Sequence, residues 1–207
     1  SGGVMGRNAG WLAAAAALAK DVDCEGVDAI YLPERTFDMD AFMAKVKDLA
    51  ARKSSVVMVV SEGIKVADGR YVCELVNADV AVDAFGHKQM SGTAAYLAQE
   101  IAAETGLKTR AIEFSTLQRA ATHLASLTDI NEAFQVGYDA LLAAEEGKTG
   151  MMITLDRNGN DPYQCGTSVY DIHAIANVER TVPDEWITED GCGLNDNYEK
   201  YARPLIM

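Results

Sequence analysis

The chain has 207 residues, of which 49% are hydrophobic, so it can form one large or two small domains around a sizeable core. Its formal net charge of -13 argues against a nucleic-acid surface, because phosphate backbones are bound by a broad excess of Lys and Arg. No apolar run approaches the roughly 20 residues that a membrane-spanning helix needs.

The four cysteines, Cys24, Cys73, Cys165 and Cys192, form no CxxC pair and have no histidine at metal-ligand spacing. We therefore expect reduced, structural thiols and no metal site. The alanine-rich N-terminal segment lacks the basic start and cleavage site of a signal peptide. These features predict a cytoplasmic protein.

Apolar periodicity and turn residues predict alternating helices and strands over the first 155 residues. The elements expected in this part of the chain are helices over 10–22 and 38–53, strands over 28–32 and 54–61, a helix closed by Gly106, and strands in "KTRAIEFST" and "GMMITL". Such alternation predicts an α/β fold with a mainly parallel sheet.

Two later segments are less regular in sequence. "LQRAATHLASLTDINEAFQVGYDALLAAEEG" is one long helix or two, since Thr128 or Asp129 offers a new N-cap. After Asn158 the pattern becomes irregular, although His173 is expected on a strand.

In parallel sheets, ligands bind beyond the carboxyl ends of the strands. The positions that follow the predicted strands, and where we expect chemistry, are Glu34, Glu62 with Gly63, and residues 115–119. In addition, "MGR" precedes a helix N-terminus, whose unpaired N–H groups favour an anion or a sugar oxygen.

Arginines and a carboxylate accompany these backbone groups. Arg110 and Arg119 provide planar, permanently charged forks for a phosphate, and Glu34 can accept hydrogen bonds from sugar hydroxyls. Each signal also has a structural explanation, since a glycine before a helix commonly serves turn geometry and an arginine on a strand commonly forms a surface salt bridge. Composition and spacing thus support an α/β domain with a possible phosphate site.

At the same residues the chain resembles the 6-phosphofructokinase family. The resemblance is carried, in order, by "VMGRNAGWLAAAAALA", "YLPE", "FGHKQMSG" and "TRAIEFSTLQR", and it runs from about residue 4 to residue 150. "STLQRAATHLASLTDINEAF" and the ending "YEKYARPLIM" are most similar to the pyrophosphate-dependent bacterial subgroup. The resemblance implies a Rossmann-like three-layer α/β/α fold.

The resemblance also implies a reaction, phosphoryl transfer to the 1-hydroxyl of fructose 6-phosphate in glycolysis. It implies that Met5 and Gly6 contact the sugar partly through backbone, and that Glu34 binds sugar hydroxyls. Arg7 would be the catalytic residue of this chain, reaching toward the transferring phosphoryl group.

The sugar 6-phosphate would be bound by arginines. The resemblance assigns Arg119 to this phosphate, and Arg110 to the phosphate in a neighbouring subunit's site, which implies a homodimer or homotetramer. Many members carry histidine or tyrosine where this chain has Thr116. Its hydroxyl can donate to phosphate but cannot act as a cation.

Parts that the family carries before the "MGR" motif do not occur here. These are a glycine-rich loop for the donor, pyrophosphate or ATP, and an aspartate motif that activates the sugar hydroxyl and helps to hold Mg²⁺. Asp38 and Asp40 do not replace that motif, since they are typical of a helix N-cap and first turn. We expect a truncated, C-terminal part of the enzyme, inactive alone, whose first residues "SGG" are either an expression scar or a cut within a longer gene.

The expected regions are a fructose 6-phosphate-binding α/β part over 1–119, helices and a strand over 120–156 that would pack on the missing donor-binding domain, and an irregular extension over 157–207. Two alternatives remain open: a non-catalytic sugar-phosphate-binding module, and a scaffold whose C-terminal region mediates contacts. His87 in "FGHKQMSG" is interpreted as structural or surface-exposed.

Overall fold

The computed structural model describes residues 2–75 and 92–207. Within these residues the strands are β1 (Gly2–Val4), β2 (Ala29–Tyr31), β3 (Met58–Ser61), β4 (Ile112–Glu113), β5 (Met151–Asn160) and β6 (Tyr163–Asp171). The α-helices are α1 (Trp11–Ala14), α2 (Met39–Arg52), α3 (Thr93–Thr105), α4 (Leu117–Ala120), α5 (Leu127–Glu145), α6 (Ile172–Ile175) and α7 (Asp196–Ala202). His87 and nearly all of "FGHKQMSG" lie outside the described residues.

The chain divides into two compact units. The first unit is Ser1–Ala120 with Thr181–Asp196, and the second is Ala121–Arg180 with Asn197–Met207. None of the described helices is both long and apolar enough to span a bilayer.

The first unit is built on a four-stranded parallel sheet in the order β2-β3-β1-β4. All four residues of β3 are buried, as expected for a central parallel strand covered on both faces. The hydrophobic cluster on one face joins Met58 and Val60 of β3 to buried residues of α2 and α3. Helix α1 contacts β2 and β3, and its buried Ala13 and Ala14 lie outside that cluster, so α1 covers the opposite face. This three-layer α/β arrangement confirms the expected fold class.

Helix boundaries follow local chemistry where the sequence offers clear signals. Asp38 accepts a hydrogen bond from the N–H of Ala41 and is the N-cap of α2, and Gly106 closes α3 with a φ of +70°. Both ends are as expected.

Several elements of the first unit are shorter than the sequence predicts. The helix expected over 10–22 is α-helical only over Trp11–Ala14 and continues as a 3₁₀ helix over Ala15–Ala19. The strand expected in "KTRAIEFST" is reduced to β4, so Arg110 precedes the strand. Short sheet elements are defined by hydrogen bonds to their neighbours, which apolar periodicity does not report.

The part of the chain that follows β4 differs most from the sequence-based prediction. The long helical segment is two helices, α4 and α5, with a 3₁₀ turn at Thr122–Leu124 between them. The N-cap of α5 is Ser126, whose side chain accepts from the N–H of Asp129, so the prediction of Thr128 or Asp129 was wrong.

The prediction of irregular structure after Asn158 was also wrong for residues 163–171, because β6 pairs with β5 as an antiparallel hairpin. Polar residues of this hairpin are satisfied by one another: Thr154 and Ser168 both donate to the Asp156 carboxylate. Polar side chains paired across strands do not produce the apolar alternation by which a strand is identified in sequence.

The cap of α2 gives a first test of the fold. Asp38→Ala removes the acceptor for the Ala41 N–H, and we expect the free energy of unfolding to fall by about 1 kcal/mol. Asp38→Asn keeps a good capping oxygen and should stay within a few tenths of a kcal/mol of the wild type. Thermal unfolding of the three proteins measures the difference, and equal stability of the Ala and Asn variants would contradict the capping role.

Candidate functional site

The sheet order brings three post-strand segments together. Because β1 lies between β3 and β4 and is parallel to both, the carboxyl ends of these strands meet at one edge. Met5-Gly6-Arg7 follows β1, Glu62-Gly63 follows β3, and Ser115–Arg119 follows β4. Glu34 follows β2, which is the edge strand beyond β3.

The Met5-Gly6-Arg7 loop is pressed against the end of β3. Ser61 Oγ donates to the carbonyl oxygen of Gly6 at 2.6 Å and accepts from the N–H of Gly63 at 3.2 Å. A Cβ atom on Gly63 would lie 1.7 Å from the carbonyl oxygen of Arg7, so only glycine permits this approach. Gly6 has a φ of +139°, which also favours glycine.

Side chains from the other two segments accept the N–H groups of this loop. The N–H of Met5 donates to Gln118 Oε1 at 2.8 Å, and the N–H of Gly6 donates to Glu62 Oε1 at 3.3 Å. These two donors are thus engaged within the chain. Sugar contacts by Met5 and Gly6 stay a prediction, and a contact through either N–H would replace one of these bonds.

The Met5-Gly6-Arg7 loop forms a cluster with Glu62 and Gln118, and Glu62 is the charged acceptor of this cluster. Burial raises the pKa of its carboxyl, and Glu113 raises it further. The Gly6 N–H, Arg7 and Arg119 act in the opposite direction, but the balance is a pKa above the usual value. Two arginines from different post-strand segments therefore act on one carboxylate, in a protein whose net charge is -13.

The arginine and hydroxyl after β4 lie at the surface. Arg119 is in α4 and Thr116 precedes this helix; both are exposed. The carbonyl of Thr116 accepts the N–H groups of Arg119 and Ala120, so the short turn of helix is closed by its own backbone. Arg7 is half-buried.

Arg110 precedes β4, and Glu34 contacts the chain segment that follows the Met5-Gly6-Arg7 loop. Arg110 is exposed and precedes β4, at the amino end of that strand, whereas the cluster lies at the carboxyl end. Glu34 Oε1 accepts from the N–H groups of Gly10 and Val182, both at 2.8 Å. Its carboxylate therefore fixes two backbone segments of the first unit, and its contact with a sugar stays a prediction.

Glu34 also lines a cavity of about 540 Å³ beyond the end of β2. The other charged side chains around this cavity are Arg35, Asp38, Asp184, Glu189 and Asp190. Arg35 pairs with Asp184 at 2.8 Å, and the remaining groups are acidic, so the cavity is poorly suited to a phosphate.

Comparison with known proteins identifies the family to which this chain belongs. The family described as "Phosphofructokinase" matches residues 3–144. The chain belongs to the phosphofructokinase family.

Several curated relatives of this phosphofructokinase chain share one name. The "Pyrophosphate--fructose 6-phosphate 1-phosphotransferase" of Xanthomonas campestris pv. campestris (strain B100) is 40% identical over 202 residues, which are 98% of this chain and 48% of that protein. The protein of the same name from Methylococcus capsulatus (strain ATCC 33009 / NCIMB 11132 / Bath) is 38% identical, over 98% of this chain and 47% of that protein. The chain thus spans about half the length of these relatives.

Solved phosphofructokinase structures agree with the sequence comparison. The pyrophosphate-dependent phosphofructokinase from Nitrosospira multiformis superposes with a TM-score of 0.82 and 36% identity, over 99% of this chain and 47% of that one. The enzyme of the same description from Marinobacter aquaeolei gives a TM-score of 0.81 at 32% identity. The similarity therefore includes the hairpin and the C-terminal residues.

In this phosphofructokinase chain the position of Glu62 is predictable from its place directly after the buried strand β3, but the role of its side chain is not. The partner of the Gln118 amide, by contrast, is the Met5 N–H, 113 residues away in sequence, and no local pattern indicates it. In residues 2–75 and 92–207 no cluster of three or more His, Cys, Asp or Glu side chains is arranged to hold a metal ion.

The close approach of Gly63 to Arg7 predicts a specific intolerance. Gly63→Ala places a methyl group on the Arg7 carbonyl, and we expect a loss of about 3 kcal/mol or more of stability, or failure to fold. Gly137→Ala in α5 is the control, since a Cβ there meets nothing within 4 Å and should stabilise by up to about 1 kcal/mol. Thermal melts of both variants test this, and a Gly63→Ala protein as stable as the wild type would contradict the packing.

The raised pKa of Glu62 predicts how stability depends on pH. The folded protein binds the Glu62 proton more tightly than the unfolded chain, so this group destabilises the fold as pH rises through its folded pKa. Glu62→Gln keeps an acceptor for the Gly6 N–H and removes the half-buried charge. We expect it to melt at a higher temperature than the wild type at about pH 8, and the difference to vanish below about pH 4, where both side chains are neutral.

Exposed Glu189→Gln serves as the control for this measurement and should change the melting temperature little at either pH. A Glu62→Gln protein that is less stable than the wild type at about pH 8 would show that the carboxylate is instead stabilised by its arginines.

Proposed function

We propose that this chain is the fructose 6-phosphate-binding part of a pyrophosphate-dependent 6-phosphofructokinase. The observation that carries the proposal is the pair of bonds by which Glu62 and Gln118 join the segments after β3 and β4 to the Met5-Gly6 backbone, at the carboxyl edge of the parallel sheet that also carries Arg7 and Arg119. Cations for a phosphate ester and oxygen acceptors for sugar hydroxyls are thereby combined in one place. The names of the half-matching relatives support the same substrates.

In the complete reaction, the 1-hydroxyl oxygen of fructose 6-phosphate attacks one phosphorus of pyrophosphate. A new P–O bond to the sugar forms, the bridging P–O bond breaks, inorganic phosphate leaves, and the hydroxyl proton is released. Arg119 forms a charge-assisted fork with the 6-phosphate, and Arg7 offsets the negative charge on the transferring group. Glu62 accepts a hydrogen bond from a sugar hydroxyl. Such catalysis depends chiefly on positioning and charge stabilisation.

The donor loop and the group that takes the proton belong to the part of the enzyme that this chain does not contain. We expect pyrophosphate as the donor, with ATP as the alternative, and Mg²⁺ ligands outside this chain. The ion would neutralise phosphate charge when bound. We expect the chain alone to be inactive in transfer. Arg110, at the far end of β4 from the cluster, fits the proposal that it serves a neighbouring subunit in a homodimer or homotetramer.

Helix α5 presents a surface for the rest of the enzyme. One face of this helix carries an exposed apolar stripe at i, i+3, i+7, i+11 and i+14 spacing, namely Leu127, Ile130, Phe134, Tyr138 and Leu141. Phe134 is 74% exposed, an unusual position for so large a ring. We propose that the donor-binding half packs on this stripe. The alternative function, a non-catalytic sugar-phosphate-binding module, uses the same site without that half.

Binding of the 6-phosphate by the guanidinium group of Arg119 provides the direct test of the proposed function. Calorimetric titration of the chain should detect fructose 6-phosphate but not fructose, and Arg119→Gln should weaken binding about 10- to 100-fold, since a hydrogen bond to a charged group contributes about 1.5–3 kcal/mol. Arg52→Gln is the matched control, because Arg52 lies on α2 and pairs with Asp48 of the same helix.

Equal binding of fructose, or an Arg119→Gln protein with wild-type affinity, would contradict this assignment. If the wild-type chain does not bind, the chain alone does not hold a complete site. The same titration on a polypeptide of the relatives' length then separates a site completed by the other half from a wrong assignment.

A further inference from the structure

The segment that carries Arg119 has little to hold it in place. Helix α4 has four residues, and an isolated helix of that length is not stable in water. Ser115, directly before Thr116, has a φ of +43°, and Leu117, Arg119 and Ala120 are exposed. Gln118 is the half-buried residue of this helix. The direction of Arg119 therefore depends on what Gln118 contacts.

Gln118 reaches across to the loop after β1. Its Oε1 accepts the N–H of Met5 at 2.8 Å, and the next N–H along the loop, that of Gly6, is held by Glu62. The two bonds join the segments after β4 and β3 to the same two residues of the Met5-Gly6-Arg7 loop. Arg119, the next residue after Gln118, acts electrostatically on Glu62.

We propose that Gln118 is a positioning residue, whose bond to the Met5 N–H ties the short helix that carries Arg119 to the Met5-Gly6-Arg7 loop. This inference deepens the proposed function, on which its phosphate ligand rests. Gln118 touches neither the phosphate nor the transferring group. It fixes the distance between Arg119, which would bind the 6-phosphate, and the loop that carries Arg7. Both arginines can then act on the same fructose 6-phosphate molecule.

The positioning role of the bond between Gln118 and the Met5 N–H can be tested without any ligand, through the pKa of the Glu62 carboxyl. The charged groups that act on this carboxyl are Arg7, Arg119 and Glu113, and Arg119 lowers its pKa. If Gln118 holds Arg119 there, Gln118→Met, which keeps side-chain length but removes the acceptor, should raise the Glu62 pKa in the same direction as Arg119→Met. The pKa is measured by carboxyl ¹³C NMR titration of the chain.

The decisive comparison is the double variant. Gln118→Met combined with Arg119→Met should leave the Glu62 pKa where Arg119→Met alone leaves it, because Gln118 acts through Arg119. A merely structural loosening would shift the pKa further in the double variant, and that result would overturn the proposal. A Glu62 pKa unchanged by Gln118→Met would overturn it as well. Leu117→Met, on the exposed side of the same helix, is the control and should leave the pKa unchanged.

Should Gln118→Met fail to fold, amide hydrogen exchange of the wild type still decides. The Met5 N–H should exchange slowly, because Gln118 accepts its hydrogen bond. Exchange at the rate of an unprotected amide would show that this bond does not hold the two segments together.

Titration with fructose 6-phosphate adds the functional readout. Gln118→Met should weaken binding about tenfold, and the double variant should bind no more weakly than Arg119→Met alone. If the wild type does not bind the sugar phosphate, the proposed function of the chain alone fails, while the Glu62 titration still decides whether Gln118 positions Arg119.

Discussion

The pairing of β1 with strands on both sides is the constraint on which the candidate site depends. β1 is hydrogen-bonded to β3 over Gly2–Val4 and to β4 through Gly2 and Gly3, always in parallel. The N–H of Phe114 extends the second pairing to the carbonyl of Gly3 at 3.2 Å. This pairing fixes where the chain leaves the sheet after β4, although β4 has only two residues. Without it, the arginine of α4 would have no defined distance from the Met5-Gly6-Arg7 loop.

The charges of the site are balanced within a protein that is acidic as a whole. Glu62 is half-buried, partial burial raises the pKa of its carboxyl, and Arg7 and Arg119 offset part of this shift. The overall charge of -13 does not attract a phosphate ester from a distance. Salt screens charges beyond about 8–10 Å, so recognition depends on these short-range, directed groups. A carboxyl with a raised pKa at the carboxyl edge of a parallel sheet is a candidate for a functional site.

The second unit reverses the usual amphipathic arrangement of a surface helix. The α5 side chains that bond to the hairpin are polar, since Tyr163 donates to Glu132 and Thr167 donates to Asp139. The large apolar residues of the same helix are exposed instead. A hydrophobic stripe of this length is retained where another surface covers it.

The sequence by itself determined the elements whose signals are local. The period of α2 with its Asp38 cap, the apolar run of β3, the closure of α3 at Gly106 and the family motifs were all readable, because each depends on neighbouring residues. The tertiary structure alone decided the β5–β6 hairpin, the bond between Gln118 and Met5, and the attachment of Glu34 to the Gly10 and Val182 backbone. In the two hydrogen-bonded cases the donor and the acceptor are distant in sequence. In the hairpin, polar residues interrupt the apolar alternation by which strands are identified. A polar side chain forms a hydrogen bond with the backbone group that the folded sheet brings next to it. The apolar periodicity of the sequence does not predict which group that is.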